Sequence, residues 1–207
     1  MMDHFGRNGY HTLGTGKVMH NRGRQEWKEF GYPSDYGPFL YNGKDRIPNL
    51  SVPAPFRDDF GIIDGNFGPL ENISAKISPD TGKGYSWQTG GWRKQRAMKY
   101  ISDEDRDPTG DELNAQWAVK RMNELAKEKD KKPFFMGVGF VRPHTPLIVP
   151  QKYFDLFPLD SIKLPKILKG DAEDTFKHTV TSKADDRSGD RGTKMYNSLV
   201  TAYNGDR

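Results

Sequence analysis

An apolar run followed by a histidine between two prolines limits most strongly how this chain can fold. Residues 134–141 are apolar apart from two glycines, and Pro133 and Pro143 bound the run. A short apolar run between such breakers predicts a β-strand that is buried on both faces. Ligands in open α/β sheets bind beyond the carboxyl ends of strands, so His144 stands where a site is expected. A loop histidine without a function fits the same local sequence equally well.

The residues before this strand predict a helix over 109–129. Pro108 and Thr109 suit a helix start, and Asp111 and Glu112 favour its first turn. A helix that leads into a buried strand is half of a β-α-β crossover, which implies a parallel sheet and an α/β fold. The predicted apolar stripe of this helix comprises Leu113, Trp117, Ala118, Met122 and Leu125.

Residues 21–107 form a long stretch without clear periodicity. Only 34% of the chain is hydrophobic, and it holds 22 glycines and 14 prolines, so much of it is expected to be surface loop. Aromatic residues are scattered through this stretch. Two roles for them remain open at this point: pinning the loop to a packed surface, or lining a sugar-binding groove.

Charge, cysteine content and hydropathy exclude several classes of protein. The net charge is +4, but lysines and arginines are mixed with acids, which does not fit a nucleic-acid surface. The chain has no cysteine, which excludes disulfides, thiolate metal sites and a cysteine nucleophile. No apolar run approaches the roughly 20 residues of a membrane span.

A second candidate site lies near residue 1. Residues 1–8 are compatible with a helix that ends at Gly9, and residues 10–13 with a strand. The sequence then reads GTGKVMH, which ends with Lys17 and His20. Its glycines allow the backbone to turn tightly and to approach a ligand closely. The spacing of a phosphate-binding GxxxxGK loop is absent.

Two stretches together resemble sulfatases of the alkaline-phosphatase superfamily. They are NGYHTLGTGKVMH at 8–20 and FFMGVGFVRPHTPLIVPQKYFDLFPLDSIKLP at 134–165. Lys17 and His20 have the wider Lys-x-x-His spacing of the iduronate-2-sulfatase-like branch, whereas arylsulfatases usually have Lys-x-His. The resemblance implies a partial alkaline-phosphatase-like α/β fold. Its parallel or mixed sheet would carry flanking helices and long loops.

The resemblance also implies roles for particular side chains. Lys17 would contact the sulfate and the hydroxyl of the nucleophile, and His20 would bond that hydroxyl and act as a base. His144 would bind sulfate beside the scissile oxygen and help to protonate it. Arg142 would bind a carboxylate or sulfate of the substrate, because a guanidinium binds such groups bidentately. A surface ion pair is an equally good interpretation of Arg142.

Two cofactors of the family are expected to lie outside this chain. The formylglycine nucleophile arises in a C/S-x-P/A-x-R motif, which these residues lack, and the family's calcium ligands have no match here. We therefore expect residues 1–207 to be an internal part of a sulfatase catalytic domain that is inactive alone. Residues 21–107 would be a loop-rich insertion, and residues 108–168 a helix–strand–loop unit that carries His144.

The expected activity is hydrolysis of a sulfate monoester, on a sulfated carbohydrate. Two alternatives stay open: a phosphate or phosphonate ester hydrolase of the same superfamily, and a non-catalytic carbohydrate-binding module that uses the aromatic residues. The sulfatase interpretation predicts that the two matched strands lie in one parallel sheet with their C-terminal ends on the same side. It also predicts that Lys17, His20 and His144 converge on one cleft.

Overall fold

The computed structural model describes residues 1–20, 26–90, 95–129 and 132–163. The predicted helix–strand–loop unit at 108–168 therefore extends beyond the described residues at its end. In chain order the elements are α1 (Met2–Arg7), β1 (His11–Gly16), β2 (Glu29–Pro33), β3 (Phe39–Tyr41), β4 (Arg46–Ile47), α2 (Ala54–Asp64), β5 (Phe67–Leu70), β6 (Ser86–Thr89), β7 (Arg96–Met98), α3 (Gly110–Leu125), β8 (Phe134–Gly139), β9 (Leu147–Pro150) and α4 (Gln151–Phe154), followed by a 3-10 helix at Leu159–Ser161.

The sheet that carries both sequence motifs is parallel, as predicted. Its strand order is β2-β1-β8. β1 and β8 pair in unbroken register from His11 opposite Phe134 to Gly16 opposite Gly139. Parallel strands in register end at the same edge of a sheet, so the residues that follow β1 and β8 emerge together. The mixed α/β architecture agrees with a partial sulfatase-like fold.

β8 forms where the sequence predicts it, but the prediction that it is buried on both faces is wrong. Phe134 and Val138 remain 43% and 41% exposed. The reason is that β8 has only β1 as a neighbour in the described sheet. One long edge of this apolar strand therefore has no partner strand among the residues described.

Helix α3 packs under this sheet through a polar contact that the apolar stripe did not predict. Thr109 and Glu112 form a reciprocal capping box at its start. Asn114 is fully buried and accepts a hydrogen bond from the Thr15 hydroxyl at 2.5 Å. The predicted inward-facing Met122 is instead 45% exposed. A buried asparagine at this position needs a polar partner, and β1 supplies it.

The opposite face of the sheet is covered by aromatic rings. A Cβ on Gly14 would lie 2.7 Å from the Trp27 ring, and a Cβ on Gly137 would lie at the same distance from it. These paired glycines leave the space that the indole occupies, and Trp27 is 8% exposed. Phe135 stacks on Phe5 of α1, with ring centroids 4.3 Å apart. Helix α1 is thereby attached to the sheet.

The stretch 21–107 is more regular than its sequence indicates. It contributes β2 and a four-stranded sheet of order β4-β3-β6-β7, in which all pairings are antiparallel. A parallel pair, β5 and β9, joins this region to the segment after β8. One buried cluster packs on the four-stranded sheet: Leu40, Leu70, Ile73, Tyr85, Trp87, Met98, Tyr100 and Ile148. Several of the scattered aromatic residues therefore pack in a core.

The helices of the described ranges are short or polar. None of them is long and apolar enough to cross a lipid bilayer.

Candidate active site

The site is built where β1 and β8 end. The amide of Lys17 donates to the carbonyl of Gly139 at 2.9 Å, which continues the ladder past the last strand pair. Gly16 has a φ of +73°, and a Cβ there would lie 1.8 Å from the Gly139 carbonyl oxygen. A Cβ on Gly139 would lie 2.2 Å from the Lys17 carbonyl carbon. Both positions require glycine, because the two backbones touch there.

The loop that carries His144 is held by carboxylates on two other elements. The Asp111 carboxylate, in the first turn of α3, accepts from the amides of Val141 and Arg142 at 2.8 and 3.0 Å. The Thr145 hydroxyl donates to Asp64 at the end of α2 at 2.7 Å. His144 is itself in a turn, with its amide 2.8 Å from the Val141 carbonyl. The backbone around His144 is therefore fixed from both sides.

The imidazole of His144 is exposed, and one of its two nitrogens makes a hydrogen bond. Its Nδ1 lies 2.7 Å from the Thr145 carbonyl oxygen. A carbonyl can only accept, so this hydrogen bond requires a proton on Nδ1. The described residues offer Nε2 no hydrogen-bond partner. In the neutral ring Nε2 is therefore a free acceptor, and it becomes a donor only when the ring is doubly protonated.

Tyr36 brings Lys17 and His144 together. The Lys17 ammonium donates a hydrogen bond to the Tyr36 hydroxyl and lies 5.0 Å from the centroid of its ring. The same ring meets the His144 imidazole edge-on, with centroids 5.1 Å apart and planes at 89°. Sequence reasoning missed Tyr36, which precedes β3 as one of many scattered aromatic residues. No local signal in the sequence distinguishes it from the others.

The backbone around Tyr36 is held by a buried carboxylate and by Arg142. Asp35 is 6% exposed and accepts from the amides of Gly37 and Gly90 at 2.8 and 2.7 Å. The carboxylate oxygen that binds the Gly90 amide also accepts from the Thr89 hydroxyl at 2.7 Å. These bonds tie the segment before β3 to the end of β6. The position of the Tyr36 ring is therefore set by the second sheet as well as by the first.

The guanidinium of Arg142 lies among backbone carbonyls of the segments around Tyr36 and β9. One terminal nitrogen, Nη2, donates to the carbonyls of Tyr36 and Gly37 at 3.2 and 2.9 Å, and to that of Ile148 at 3.3 Å. Burial lowers the pKa of its guanidinium, while the charges of Asp111 and Asp35 act in the opposite direction. Arg142 also borders an apolar cleft of about 380 Å³ between α3 and β9, which Lys17, His20 and His144 do not line. In this structure it holds backbone segments together.

In the part of the chain that the structure describes, His20 makes no contact with the other predicted site residues. It lies three residues beyond Lys17 and is exposed. The described residues provide no hydrogen bond or ring contact to its imidazole. Of the four predicted site residues, Lys17 and His144 both contact Tyr36, and Arg142 binds the backbone of that tyrosine. His20 is exposed, and no contact among the described residues joins it to them.

The described ranges contain no cluster of metal-ligating side chains. No group of three or more His, Cys, Asp or Glu side chains converges there in a way that could hold an ion. The described side chains at these strand ends supply a positive charge on Lys17, an imidazole on His144 and the phenol of Tyr36 that contacts both. A cation and an acid at adjacent strand ends suit the binding and cleavage of an anionic ester.

Two known proteins that resemble parts of this chain are named for one kind of anionic ester, the sulfate ester. A protein named sulfatase from Formosa agariphila is 31% identical over 180 residues, which cover 83% of this chain and 27% of that protein. A protein named arylsulfatase from Clostridium perfringens is 40% identical over 68 residues, which cover 31% of this chain and 14% of that protein. No family model matches the chain. The chain is therefore similar to parts of two proteins that are named as sulfatases, and this similarity supports the sulfatase family.

The matched region is a small part of each relative. It spans about a quarter of the length of the first and less of the second. The activity of the whole protein is consequently a matter of proposal.

Proposed function

We propose that this chain contributes part of the active site of an enzyme that hydrolyses sulfate monoesters. The observation that carries the proposal is the meeting of Lys17 and His144 on Tyr36, at the ends of two paired strands. The named relatives support a sulfate ester as the substrate class, in preference to a phosphate or phosphonate ester. The Lys-x-x-His spacing of Lys17 and His20 supports the iduronate-2-sulfatase-like branch.

Lys17 would bind the anionic oxygens of the sulfate group. An ammonium has three N–H donors, and Tyr36 engages one of them. Two donors are left for the ester. Negative charge shifts toward the departing oxygen as the S–O bond breaks, so a cation fixed before the reaction stabilises the transition state without rearranging.

His144 would protonate the leaving oxygen. Its Nδ1 proton is committed to the Thr145 carbonyl, so the proton for the ester must come from Nε2 of the doubly protonated ring. His20 would act as the complementary base, the role that the resemblance to sulfatases implies, and its exposed imidazole can take up a proton.

A formylglycine nucleophile and calcium are part of the proposal, but the residues described here do not hold them. The sequence has no C/S-x-P/A-x-R motif, and the described side chains form no cluster of three metal ligands. The family's calcium ligands also have no match in this sequence, so we propose that both groups belong to a part of the enzyme outside these 207 residues. When present, they would supply the attacking hydroxyl and the positive charge that polarises the sulfate.

A sulfated carbohydrate is the proposed substrate, as expected for the iduronate-2-sulfatase-like branch. A purely carbohydrate-binding role is less well supported. Stacking on sugars requires exposed, coplanar rings, whereas Phe39, Trp87 and Tyr85 are at most 9% exposed. The rings that are buried in the core cannot contact a ligand.

The test is a comparison of two esters in the full-length protein that contains this chain. His144→Ala should lower kcat about 10²–10⁴-fold on an alkyl sugar sulfate, the usual range for a general acid. The loss should be much smaller on a nitrophenyl sulfate, whose leaving group needs little protonation. Lys17→Ala should impair both substrates alike, because both carry the same sulfate.

Two exposed residues offer matched controls. His4→Ala and Lys28→Ala remove the same side-chain types from exposed positions outside the site, and both should leave turnover unchanged. Equal losses on the two esters in His144→Ala would remove His144 from the acid's role. Full activity in Lys17→Ala would refute the proposed site.

A further inference from the structure

Tyr36 contacts both side chains on which the proposed reaction depends. Its hydroxyl oxygen accepts from the Lys17 ammonium, and its ring lies perpendicular to the His144 imidazole and in contact with it. The tyrosine belongs to neither motif, since it lies between β2 and β3. One half-buried side chain thus contacts the cation that follows β1 and the imidazole that follows β8.

We propose that Tyr36 is a positioning residue of this site. Its hydroxyl fixes the Lys17 ammonium, and its ring fixes the His144 imidazole, so that both groups face one bound ester. The catalytic consequences of this inference rest on the proposed hydrolysis of sulfate esters. The two contacts themselves do not.

The contact with Lys17 restrains a flexible group. A lysine ammonium stands on a four-carbon stem with many rotamers, so an unrestrained Lys17 would lose conformational entropy on binding an anion. The Tyr36 oxygen must be the acceptor, because an ammonium only donates. One N–H of Lys17 is thereby held while the other two stay free for the anion.

The contact with His144 restrains an exposed ring. Its Nδ1 is bonded to the Thr145 carbonyl, which limits rotation of the imidazole from one side. The perpendicular Tyr36 ring, 5.1 Å away, limits it from the other. An edge-to-face arrangement of this kind is a favoured geometry for two aromatic rings. Together the two contacts leave Nε2 free.

Tyr36 can serve as a support because its own backbone is fixed. Its carbonyl accepts from Arg142 at 3.2 Å, and the next amide, that of Gly37, donates to the buried Asp35 at 2.8 Å. A functional group is held accurately only when the residue that orients it is itself held by packing and hydrogen bonds. Both conditions are met here.

Two substitutions separate the hydroxyl from the ring. In the full-length protein, Tyr36→Phe keeps the ring and should raise KM about tenfold for nitrophenyl and alkyl sulfates alike, the usual effect of losing a hydrogen bond to a charged group. Tyr36→Leu removes the ring as well and should add a loss of kcat that is greater for the alkyl sulfate. Tyr32→Phe, at a ring that is 44% exposed, is the matched control and should change neither constant.

These kinetics distinguish positioning from a general structural role. For Tyr36→Leu, a structural role predicts equal losses of kcat on both esters together with a lower unfolding temperature, and that result would overturn the inference. A wild-type KM in Tyr36→Phe would overturn it too. Full activity in Lys17→Ala and His144→Ala would instead refute the proposed function.

NMR spectra test the two contacts of Tyr36 even when the protein shows no enzymatic activity. In NMR spectra of the 207-residue chain, Tyr36→Phe should shift the Lys17 Nζ signal and leave the His144 ring signals in place. Tyr36→Leu should shift both, because the ring current at His144 is lost, and Tyr32→Phe should shift neither. Unmoved signals overturn the inference even if no sulfate ester is hydrolysed. If Tyr36→Leu does not fold, the Lys17 signal of Tyr36→Phe decides.

Discussion

The amide of Lys17 donates to the carbonyl of Gly139 at 2.9 Å, just beyond the last in-register pair of β1 and β8. A side chain on Gly139 would enter the Lys17 peptide group, because its Cβ would lie 2.2 Å from the carbonyl carbon and 2.4 Å from the oxygen. The direct contact between the two strand ends therefore fixes the position of the Lys17 backbone, from which its side chain extends.

Gly139→Ala should therefore destabilise the protein and displace Lys17. We expect a loss of about 1–3 kcal/mol in the free energy of unfolding, the usual cost of overpacking, as measured by urea denaturation. Gly84→Ala is the matched control, because the nearest atom to a Cβ there is 3.9 Å away. Equal stability of the two variants would show that the strand ends can separate at little cost.

Asp111→Ala should loosen the His144 loop. The substitution leaves the amides of Val141 and Arg142 without their shared acceptor, which should cost about 1–3 kcal/mol in stability. In the full-length protein, kcat on an alkyl sulfate should also fall, since His144 lies only two residues after Arg142.

Asp3→Asn provides the control for the effect of charge in a first helical turn. Asp3 occupies that position in α1, far along the chain from the His144 loop. This variant should keep the activity of the wild-type protein. A normal kcat in Asp111→Ala would mean that His144 keeps its place without the carboxylate.

Arg142→Ala distinguishes two roles of this guanidinium. If Arg142 binds an anionic group of the substrate, KM should rise only for esters that carry such a group. Its contacts with three backbone carbonyls predict a different result: similar losses on every ester and a lower free energy of unfolding, by about 2 kcal/mol. Steady-state kinetics on sulfates with and without a carboxylate, together with urea denaturation, separate these outcomes.

The stability of the chain should depend on pH through Glu112. Burial alone would raise the pKa of this carboxyl, but hydrogen bonds from Arg106 and the Thr109 amide outweigh it and lower the pKa to about 2. The ordinary value is 4.5, so the unfolded state binds the proton more tightly. The stabilisation is therefore complete above about pH 5 and is lost as the pH falls toward 2.

Glu112→Gln should remove this pH dependence. The variant should be about 2 kcal/mol less stable than the wild-type protein at pH 7, and the difference should shrink between pH 5 and pH 2. Urea denaturation across this pH range measures it. Glu128→Gln, at an exposed position, should follow the wild-type curve. A constant difference at all pH values would contradict the assignment of the effect to ionised Glu112.

The 207-residue chain alone should not turn over sulfate esters. It lacks a cysteine and has no serine in an S-x-P/A-x-R context, so it cannot supply the family's nucleophile. The side chains that bind an ester and transfer protons do not by themselves form a covalent intermediate. Turnover of a nitrophenyl sulfate by the purified chain, lost in Lys17→Ala, would contradict this expectation.

The sequence by itself determined several local elements and the parallel sheet that they imply. The apolar run before His144 and the capped helix before it predict a strand in a parallel sheet, because short apolar runs and helix caps are local signals. The same reasoning places Lys17 and His144 beyond strand ends, where the in-register pair β1–β8 brings their segments together. It could not predict the exposed edge of β8, since burial depends on neighbours that a strand's own residues do not encode.

The tertiary structure alone decided that Tyr36 joins Lys17 to His144. Strands of two to four residues in the stretch around β3–β7 are too short to show a period, so their sheet has no sequence signature. Tyr36 is placed by that sheet and by the bonds of Asp35 and Arg142, all of which link distant parts of the chain. Contacts of this kind arise from the packing of whole elements against one another, and no local pattern around Tyr36 records them.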